Sequence, residues 1–337
     1  MALGRLFGFV GLGSLLLSLL LWLGAQGNLS EATYDELKVY QQSGNYRSSD
    51  TLTIVTYNLG YLSGMTNNQP VNTSRDLFEN NLRKVKSLIS GLDPDILGVQ
   101  EIDFGSQRSY KMNQCELISS IHFNETYTSV NWDKKYVPFP YWPPSVHFGE
   151  MLSGQAVMSR FRVINSSTLR LQKPVNASMI YNYFYLDRLI QITDLQVGGE
   201  TLRVLNVHLE AFDSETRLLQ ARVLKDLIVE FIDKMPLLIV GDFNSLPPCD
   251  SPGADAMQVL LENPDIHSAI SQEEYLKDRE SAFTFPSDHP AEMIDYILYN
   301  PTFIDKVEAR VVQEADQISD HLPVLMKFTL RSQIEPG

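Results

Sequence analysis

The sequence predicts an α/β layered fold in which helices cover a β-sheet core. Short runs rich in β-branched and aliphatic residues alternate with stretches whose apolar residues recur every three or four positions. From Thr51 to about Leu330 the pattern continues without a repeat or a low-complexity linker. We therefore expect one large domain over residues 51–330 and a short tail over 331–337.

The strand predictions rest on short apolar runs. Several are apolar at almost every position, as in strands that are covered on both faces. The runs are TLTIVTYN (51–58), DILGVQE (95–101), LRVLNVHL (202–209), PLLIVGDFN (236–244), MIDYILYN (293–300) and HLPVLMKF (321–328).

Two helices are predicted from apolar stripes at helical spacing. The first covers 76–91 and is expected to end at Gly91; the second covers 214–233. The stripes are Phe78, Leu82, Val85 and Ile89 in the first helix, and Leu218, Ala221, Leu224, Ile228 and Phe231 in the second.

The N-terminal segment is apolar enough to direct export or to anchor the chain. After Arg5 the chain is uncharged as far as about Ala25, and about twenty residues at ~1.5 Å each can cross a ~30 Å hydrocarbon layer. Small residues at Ala25-Gln26-Gly27 favour a cleaved signal peptide, whereas the length of the run favours an uncleaved anchor. Both interpretations of residues 1–27 stay open, and both predict a domain outside the cytosol, either secreted or periplasmic or membrane-anchored. Residues 28–50 are polar and are predicted to form a tether with a short helix around 31–40.

Further observations bear on export. Cys115 and Cys249 are far apart and form no metal-site pattern, so a disulfide and free thiols both remain open. In a glycosylating host the sequons would carry glycans, which would make the chain a glycoprotein. The sequons begin at Asn28, Asn72, Asn124, Asn165 and Asn176.

The composition is acidic, and residues 131–150 are rich in proline and aromatic residues. The 337 residues are 44% hydrophobic and 20% charged with a formal net charge of −14, which excludes collagen-like and wholly disordered chains. A negative chain is less suited to non-specific nucleic-acid binding, which depends on basic residues. Residues 131–150 are predicted to form an irregular surface loop. Its aromatic residues would either sit at a membrane interface or pack over the domain; they are Tyr136, Phe139, Tyr141 and Trp142.

Polar side chains stand where the predicted strands end. They include carboxylates, carboxamides and imidazoles, which we expect to converge at one rim of the sheet. Oxygen ligands suit a hard divalent cation such as Mg²⁺, and histidines suit phosphate contact and proton transfer. The absence of a cysteine or His-x-x-x-His pattern disfavours zinc. These residues are Asn58, Glu101, Asn206, His208, Asp242, Asn244, Asp295, Asp320 and His321.

The motifs that contain these residues resemble those of the endonuclease/exonuclease/phosphatase superfamily, in the same order. They are Tyr57-Asn58, Gln100-Glu101, Asn206-x-His208, Gly241-Asp242-Phe243-Asn244, Ile294-Asp295-Tyr296 and Ser319-Asp320-His321. The resemblance spans about residues 51–330. It implies a four-layer α/β sandwich, in which two packed mixed β-sheets are flanked by helices.

The resemblance also implies metal-assisted hydrolysis of a phosphoester. Mg²⁺, or alternatively Mn²⁺, would be held by Glu101 with Asn58 and Asp320. Asp242 would align or deprotonate the attacking water, and Asn244 would hold that water or a phosphate oxygen. The remaining roles fall on His208 and His321, which would contact the non-bridging oxygens, and on Asp295, which would pair with His321.

The substrate is predicted less directly. Residues 147–161 and the FPSD segment before Asp295 resemble the C-terminal domain of membrane proteins of GPI-anchor lipid remodelling and, more loosely, neutral sphingomyelinases. We expect a monomeric phosphodiesterase that is exported or membrane-anchored and acts on a lipid-linked or small phosphodiester. The alternatives are a secreted DNase-like endonuclease and a non-catalytic binding module on the same fold.

Overall fold

Two β-sheets pack face to face in the computed structural model, which describes residues 18–40, 50–251, 253 and 255–331. The seven-stranded sheet has the order β1-β4-β5-β3-β2-β13-β12, and the six-stranded sheet has the order β10-β11-β9-β8-β7-β6. The strands of the first sheet are β1 (Asp35–Val39), β2 (Leu52–Asn58), β3 (Ile96–Asp103), β4 (Glu125–Val137), β5 (Gly149–Ser159), β12 (Ile304–Val311) and β13 (Val324–Leu330). Those of the second are β6 (Arg162–Arg170), β7 (Leu189–Val197), β8 (Glu200–His208), β9 (Leu237–Asp242), β10 (His267–Ser268) and β11 (Asp295–Tyr299).

Helices flank the two sheets and complete the sandwich. They are α1 (18–25), α2 (Arg75–Leu92), α3 (Gln114–His122), α4 (Met179–Phe184), α5 (Ser214–Phe231), α6 (Ala256–Leu261) and α7 (Gln272–Lys277). Helix α2 packs its apolar stripe on the seven-stranded sheet, and α5 and α6 pack on the six-stranded sheet. The predicted sandwich of two mixed sheets between helices is confirmed.

The N-terminal prediction falls largely on residues 1–17, which lie outside the described part. Within the described residues, no helix combines the length and apolarity needed to cross a membrane. The tail over 332–337 also lies outside it.

Polar residues as well as apolar ones join the two sheets. Asn206 of β8 accepts a hydrogen bond from Gln100 Nε2 of β3 at 2.6 Å, and its own amide donates to Gln191 Oε1 of β7 at 2.8 Å. A Cβ on Gly98 would lie 2.7 Å from Val240 Cγ2, so glycine permits close sheet packing there. Two of the motif residues, Gln100 and Asn206, therefore fix how the two sheets are positioned relative to each other.

Several local predictions are corrected by the structure. The helix predicted around 31–40 is wrong, because a 3₁₀ turn at Glu31–Thr33 leads into β1, which pairs antiparallel with β4. Part of the expected tether thus belongs to the sheet. Helix α2 continues past Gly91 to Leu92 and is capped by Asp93, which adopts the left-handed conformation with φ 52°. Cys115 is buried and Cys249 is exposed, and both are free thiols.

The predicted loop over 131–150 is shorter than expected. Strand β4 continues to Val137 and β5 starts at Gly149, so only 138–148 are irregular. Strand pairing between Lys134 and Met151 extends this two-stranded arm beyond the core of the sheet. The arm carries the aromatic residues to the mouth of the cleft that contains the polar strand ends.

Candidate active site

The polar strand ends meet in a cleft of about 890 Å³. The parallel pairs β2–β3 and β8–β9 deliver their carboxyl ends to one edge, where β11 begins. Six of the predicted residues line the cleft: Glu101, His208, Asp242, Asn244, Asp320 and His321. Asn58 and Asp295 are buried and hydrogen-bonded to members of that set. The structure therefore brings together all eight residues that were given catalytic or metal-binding roles, whereas Asn206 lies between the sheets.

Asp242 lies at the centre of the cleft floor. Asn58 Nδ2 donates to its Oδ2 at 2.9 Å, and the backbone N–H of Asn244 donates to its Oδ1 at 2.9 Å. Gly241 precedes it with φ 145°, and a Cβ there would lie 1.9 Å from Val207 O, so only glycine fits. Burial raises the pKa of Asp242 to about 6, and Asp295 on the adjacent strand adds to the rise.

His321 is held by a carboxylate. Its Nδ1 donates to Asp295 Oδ2 at 2.9 Å, while its Nε2 lies 3.4 Å from Asn58 Nδ2 and 3.9 Å from Asp242 Oδ2. Burial lowers the pKa of His321, but Asp295, with Asp242, outweighs burial and holds it well above its usual value. The imidazole is therefore protonated at neutral pH and fixed in orientation.

Glu101 and Asp320 form a pair of carboxylates around one amide. Asn67 Nδ2 donates to Glu101 Oε2 at 3.0 Å and to Asp320 Oδ2 at 3.1 Å. Glu101 has φ 50° at a register shift of β3, which turns its side chain into the cleft. Burial and, to a lesser extent, the charge of Asp320 together raise the pKa of Glu101 to about 7. Two carboxylates with too little positive charge nearby match the oxygen-rich ligand set of a hard divalent cation.

A second group of ligand atoms lies beside this pair. Asp242, Asp295 and His321 each offer one atom within 4.8 Å of the others, so they too could hold a cation. However, the protonated His321 already supplies a positive charge and donates to Asp295. Glu101 and Asp320 are therefore the better-fitting ligands.

His208 contacts a buried arginine that the sequence analysis did not place in the site. Arg188 Nη1 contacts His208 Nε2, its Nη2 donates to Tyr185 Oη at 2.9 Å, and its Nε lies 3.5 Å from Glu210 Oε2. Burial, reinforced by Arg188, keeps the pKa of His208 well below its usual value. The imidazole is thus neutral and accepts at Nε2, and the cation on this side of the cleft is the guanidinium.

Asn244 is placed by the turn that follows β9. Its backbone has φ 49°, and its side-chain Nδ2 donates to Leu209 O at 3.0 Å. Short carboxamide residues tolerate this left-handed conformation better than branched ones. The motif Gly-Asp-Phe-Asn therefore encodes a turn that aims Asp242 and Asn244 into the same cleft.

The mouth of the cleft carries exposed aromatic and aliphatic side chains. Tyr141 and Phe212 line the cleft and are 67% and 81% exposed, and Trp142 beside Tyr141 is 78% exposed. Helix α4 turns Tyr181 and Phe184 into the cleft and leaves its other apolar side chains in solvent. The exposed rim consists of Tyr141, Trp142, Met179, Ile180, Tyr183 and Phe212. By contrast, Phe139 packs against Phe148 within a small aromatic core.

Comparisons with known proteins match this fold and site. The model of the endonuclease/exonuclease/phosphatase family matches residues 55–321, which include every predicted site residue. A comparison with curated protein sequences found no match.

Solved structures share the fold at low sequence identity. An endonuclease/exonuclease/phosphatase protein from Beutenbergia cavernae is 19% identical with a TM-score of 0.57, over 84% of this chain and 72% of that one. The human nocturnin catalytic domain with bound sulfate is 17% identical with a TM-score of 0.58, over 90% and 100% of the two chains. A mannosyl-6-phosphatase from Bacteroides thetaiotaomicron is 15% identical with a TM-score of 0.57, over 83% and 100%.

Proposed function

The chain belongs to the endonuclease/exonuclease/phosphatase family, whose enzymes hydrolyse phosphoesters, and on this premise we propose that it is an exported phosphodiesterase that uses Mg²⁺ or Mn²⁺ and acts on a lipid-linked substrate. The observation that carries the proposal is the coincidence of the complete set of polar residues with an apolar, exposed rim around the same cleft. A binding module would not need an acid, a base and a cation site together.

The cation would be held by Glu101 and Asp320, with Asn58 beside them. When bound, it neutralises phosphate charge and stabilises the leaving oxygen. Asn67 holds the two carboxylates in place by donating to both of them. A bound cation would also offset the burial and the mutual repulsion that together raise the pKa of Glu101.

Asp242 is the group that accepts the proton of the attacking water. A pKa of about 6 leaves it ionised at neutral pH while keeping it basic enough to take a proton. Asn58 and the backbone of Asn244 hold its two oxygens, so its orientation is fixed before the substrate arrives.

Cationic side chains face the phosphate from two sides. Protonated His321 presents Nε2 near Asp242, where it can donate to a non-bridging oxygen as negative charge develops. Asp295 keeps the ring in that orientation. On the other side, Arg188 lines the cleft, and a guanidinium binds phosphate oxygens strongly because it donates in a planar fork.

The exposed rim supports a lipid-linked substrate. Aromatic side chains such as Tyr141 and Trp142 are favoured at the boundary between water and hydrocarbon. A soluble protein rarely exposes such a group of large apolar residues without a partner. A phosphodiester at the headgroup level of a bilayer would reach the cleft floor when the rim contacts the lipid.

The test compares substrates with the purified protein, with Mg²⁺ and with a chelator. Sphingomyelin vesicles, phosphatidylinositol vesicles, plasmid DNA and soluble bis(p-nitrophenyl) phosphate are assayed in parallel. Metal-dependent cleavage of one of the lipids supports the proposal. Cleavage of plasmid alone identifies a nuclease instead, and retention of activity in chelator excludes the metal-dependent reaction.

Asp242→Ala provides the matched loss-of-function variant. We expect kcat to fall at least about 10³-fold because the water loses its proton acceptor. Asp265→Ala removes an exposed carboxylate elsewhere and should leave kcat unchanged. Activity retained by Asp242→Ala at the wild-type level would contradict the assignment.

A further inference from the structure

Asp133 of β4 is a buried carboxylate that receives only neutral donors. It is 4% exposed, and no lysine, arginine or histidine among the described residues forms an ion pair with it. The backbone N–H of Asn28 lies 2.8 Å from Oδ1 and 2.9 Å from Oδ2, and Leu29 N–H and Tyr34 Oη donate to Oδ2. A carboxylate taken out of water is costly unless a cation compensates it. The nitrogen nearest to both oxygens belongs to Asn28.

The sequence before Asn28 contains a cleavage pattern. Ala25 and Gly27 place small residues three and one positions before Asn28, as signal peptidases require. We propose that the chain is cleaved between Gly27 and Asn28, and that the new α-ammonium of Asn28 forms an ion pair with Asp133 in the mature protein. This inference is independent of the proposed hydrolase reaction.

The chemistry is hydrolysis of one peptide bond. Water supplies a hydroxyl to the Gly27 carbonyl carbon and a proton to the Asn28 nitrogen, which takes a further proton from solvent because an α-amine has a pKa of about 7.7–8.0. The amide that already points at both Asp133 oxygens thereby becomes a cation. Before cleavage, a Cβ on Gly27 would lie 2.6 Å from Asp133 Oδ2, so this position needs glycine on geometric grounds as well.

The segment that would be lost is poorly suited to remain on the surface. Leu20 and Trp22 of helix α1 are more than half exposed, and Leu19 and Leu23 are nearly so. Cleavage would remove the hydrogen bond from the Lys135 N–H of β4 to Gln26 O, but β1 and its pairing with β4 lie after the cleavage point and would remain. Asp133 would then keep the mature N-terminus fixed on β4, ahead of β1.

The first experiment identifies the N-terminus. The full chain is expressed with its own N-terminal segment in a bacterial host that exports it to the periplasm, and the purified protein is analysed by intact mass and N-terminal sequencing. We expect a chain that begins at Asn28. Retention of residues 1–27, or a chain that begins at another residue, would overturn the proposal.

The second experiment tests the ion pair with a matched control. A serine inserted between Gly27 and Asn28 moves the ammonium one residue away and leaves an amide at Asn28. Asp133→Asn is made in both chains, and we expect its loss of Tm to be larger by about 3 °C or more in the chain that begins at Asn28. If Asp133→Asn does not fold, the chain with the inserted serine is compared with the wild type instead, and its Tm should be lower by a similar number of degrees. The ion pair would be overturned if Asp133→Asn lowered Tm equally in the two chains, or if the chain with the inserted serine melted at the same temperature as the wild type.

Discussion

Glu101 is held in an unfavourable state until a cation arrives. Its backbone is left-handed. Burial, together with the neighbouring carboxylate of Asp320, raises its pKa to about 7. A carboxylate whose folded pKa exceeds the unfolded value favours the folded state most below the unfolded value of 4.5, and this contribution is lost as the pH rises through about 7. At pH 8 in chelator the ionised side chain therefore lowers stability.

Glu101→Gln should remove both the loss of stability caused by the ionised carboxylate and the catalytic activity. A glutamine oxygen can still accept from Asn67 but carries no charge. We expect Tm in chelator to rise by about 3 °C or more at pH 8 and to change little at pH 5, where Glu101 is already protonated. Added Mg²⁺ should stabilise the wild type but not the variant. Thermal melts at both pH values check this, and an unchanged Tm at pH 8 would contradict it.

Arg188→Lys tests whether the shape of the cation matters as well as its charge. An ammonium cannot contact His208, Tyr185 and Glu210 at once in the way that the planar guanidinium does. We expect kcat/KM to fall by about 10–100-fold with Tm lowered by only a few degrees. Arg170→Lys, at an exposed ion pair with Asp187, is the control and should leave both quantities unchanged. Wild-type kinetics in the first variant would remove Arg188 from the site.

The sequence was sufficient to predict the residues that end strands but not those that reach the cleft from loops. Glu101, Asp242 and His321 are preceded or followed by apolar runs, so their positions could be read from the pattern. Asn67 lies in an irregular segment with no periodicity. Arg188 is 4% exposed, and its only signal in the sequence was its place directly before the apolar run of β7.

The turn after β9 is the element whose backbone the site most depends on. Gly241→Ala would place a methyl group against Val207 O at a φ of 145°. We expect a loss of about 3 kcal/mol or more in the free energy of unfolding, since neither strand can move without disturbing the ladder. Urea denaturation measures the effect.

Gly91→Ala is the matched control for this substitution. Gly91 lies within helix α2, and nothing is within 4 Å of an added Cβ. Alanine there should stabilise the protein by about 0.5–1 kcal/mol. A destabilisation equal to that of Gly241→Ala would show that the loss does not come from the backbone conformation at β9.

Strand prediction succeeded where apolar residues form a nearly continuous run. It failed at sheet edges and also in the interior strands β4, β5 and β7, whose apolar residues are interrupted by polar ones. Strands β2, β3, β8, β9, β11 and β13 were predicted from their apolar runs. Edge strands β1, β6 and β12 alternate charged and polar residues with few apolar ones, because one side or one face of each meets water. Such strands are defined by the partner they pair with, and a partner distant in sequence leaves no local signal.

At the scale of the whole molecule, the rim should determine the physical form of the substrate. Trp142→Ser and Phe212→Ser change side chains that are mostly exposed to solvent, so Tm should not change. We expect each to reduce hydrolysis of lipid vesicles by about 10-fold or more, because buried aromatic area at the interface is lost. Hydrolysis of soluble bis(p-nitrophenyl) phosphate should not change.

Val229→Ser is the matched control for the rim variants. Val229 is an exposed apolar residue of α5 that does not line the cleft. This variant should behave as the wild type on vesicles. Equal losses on vesicles and on the soluble substrate in the rim variants would place these residues in catalysis rather than at a lipid surface.

The position of β13 has a consequence for when the enzyme becomes active during its synthesis. The last strand among the described residues, β13, inserts between β2 and β12 and pairs with β2, the strand that begins the main domain. Asp320 and His321 lie directly before it. During synthesis, the central sheet therefore cannot close, and the set of polar residues in the cleft cannot be completed, before Asp320, His321 and β13 have been made. A chain that stops before Asp320 should accordingly show no hydrolysis, although strands β1–β12 have all been made.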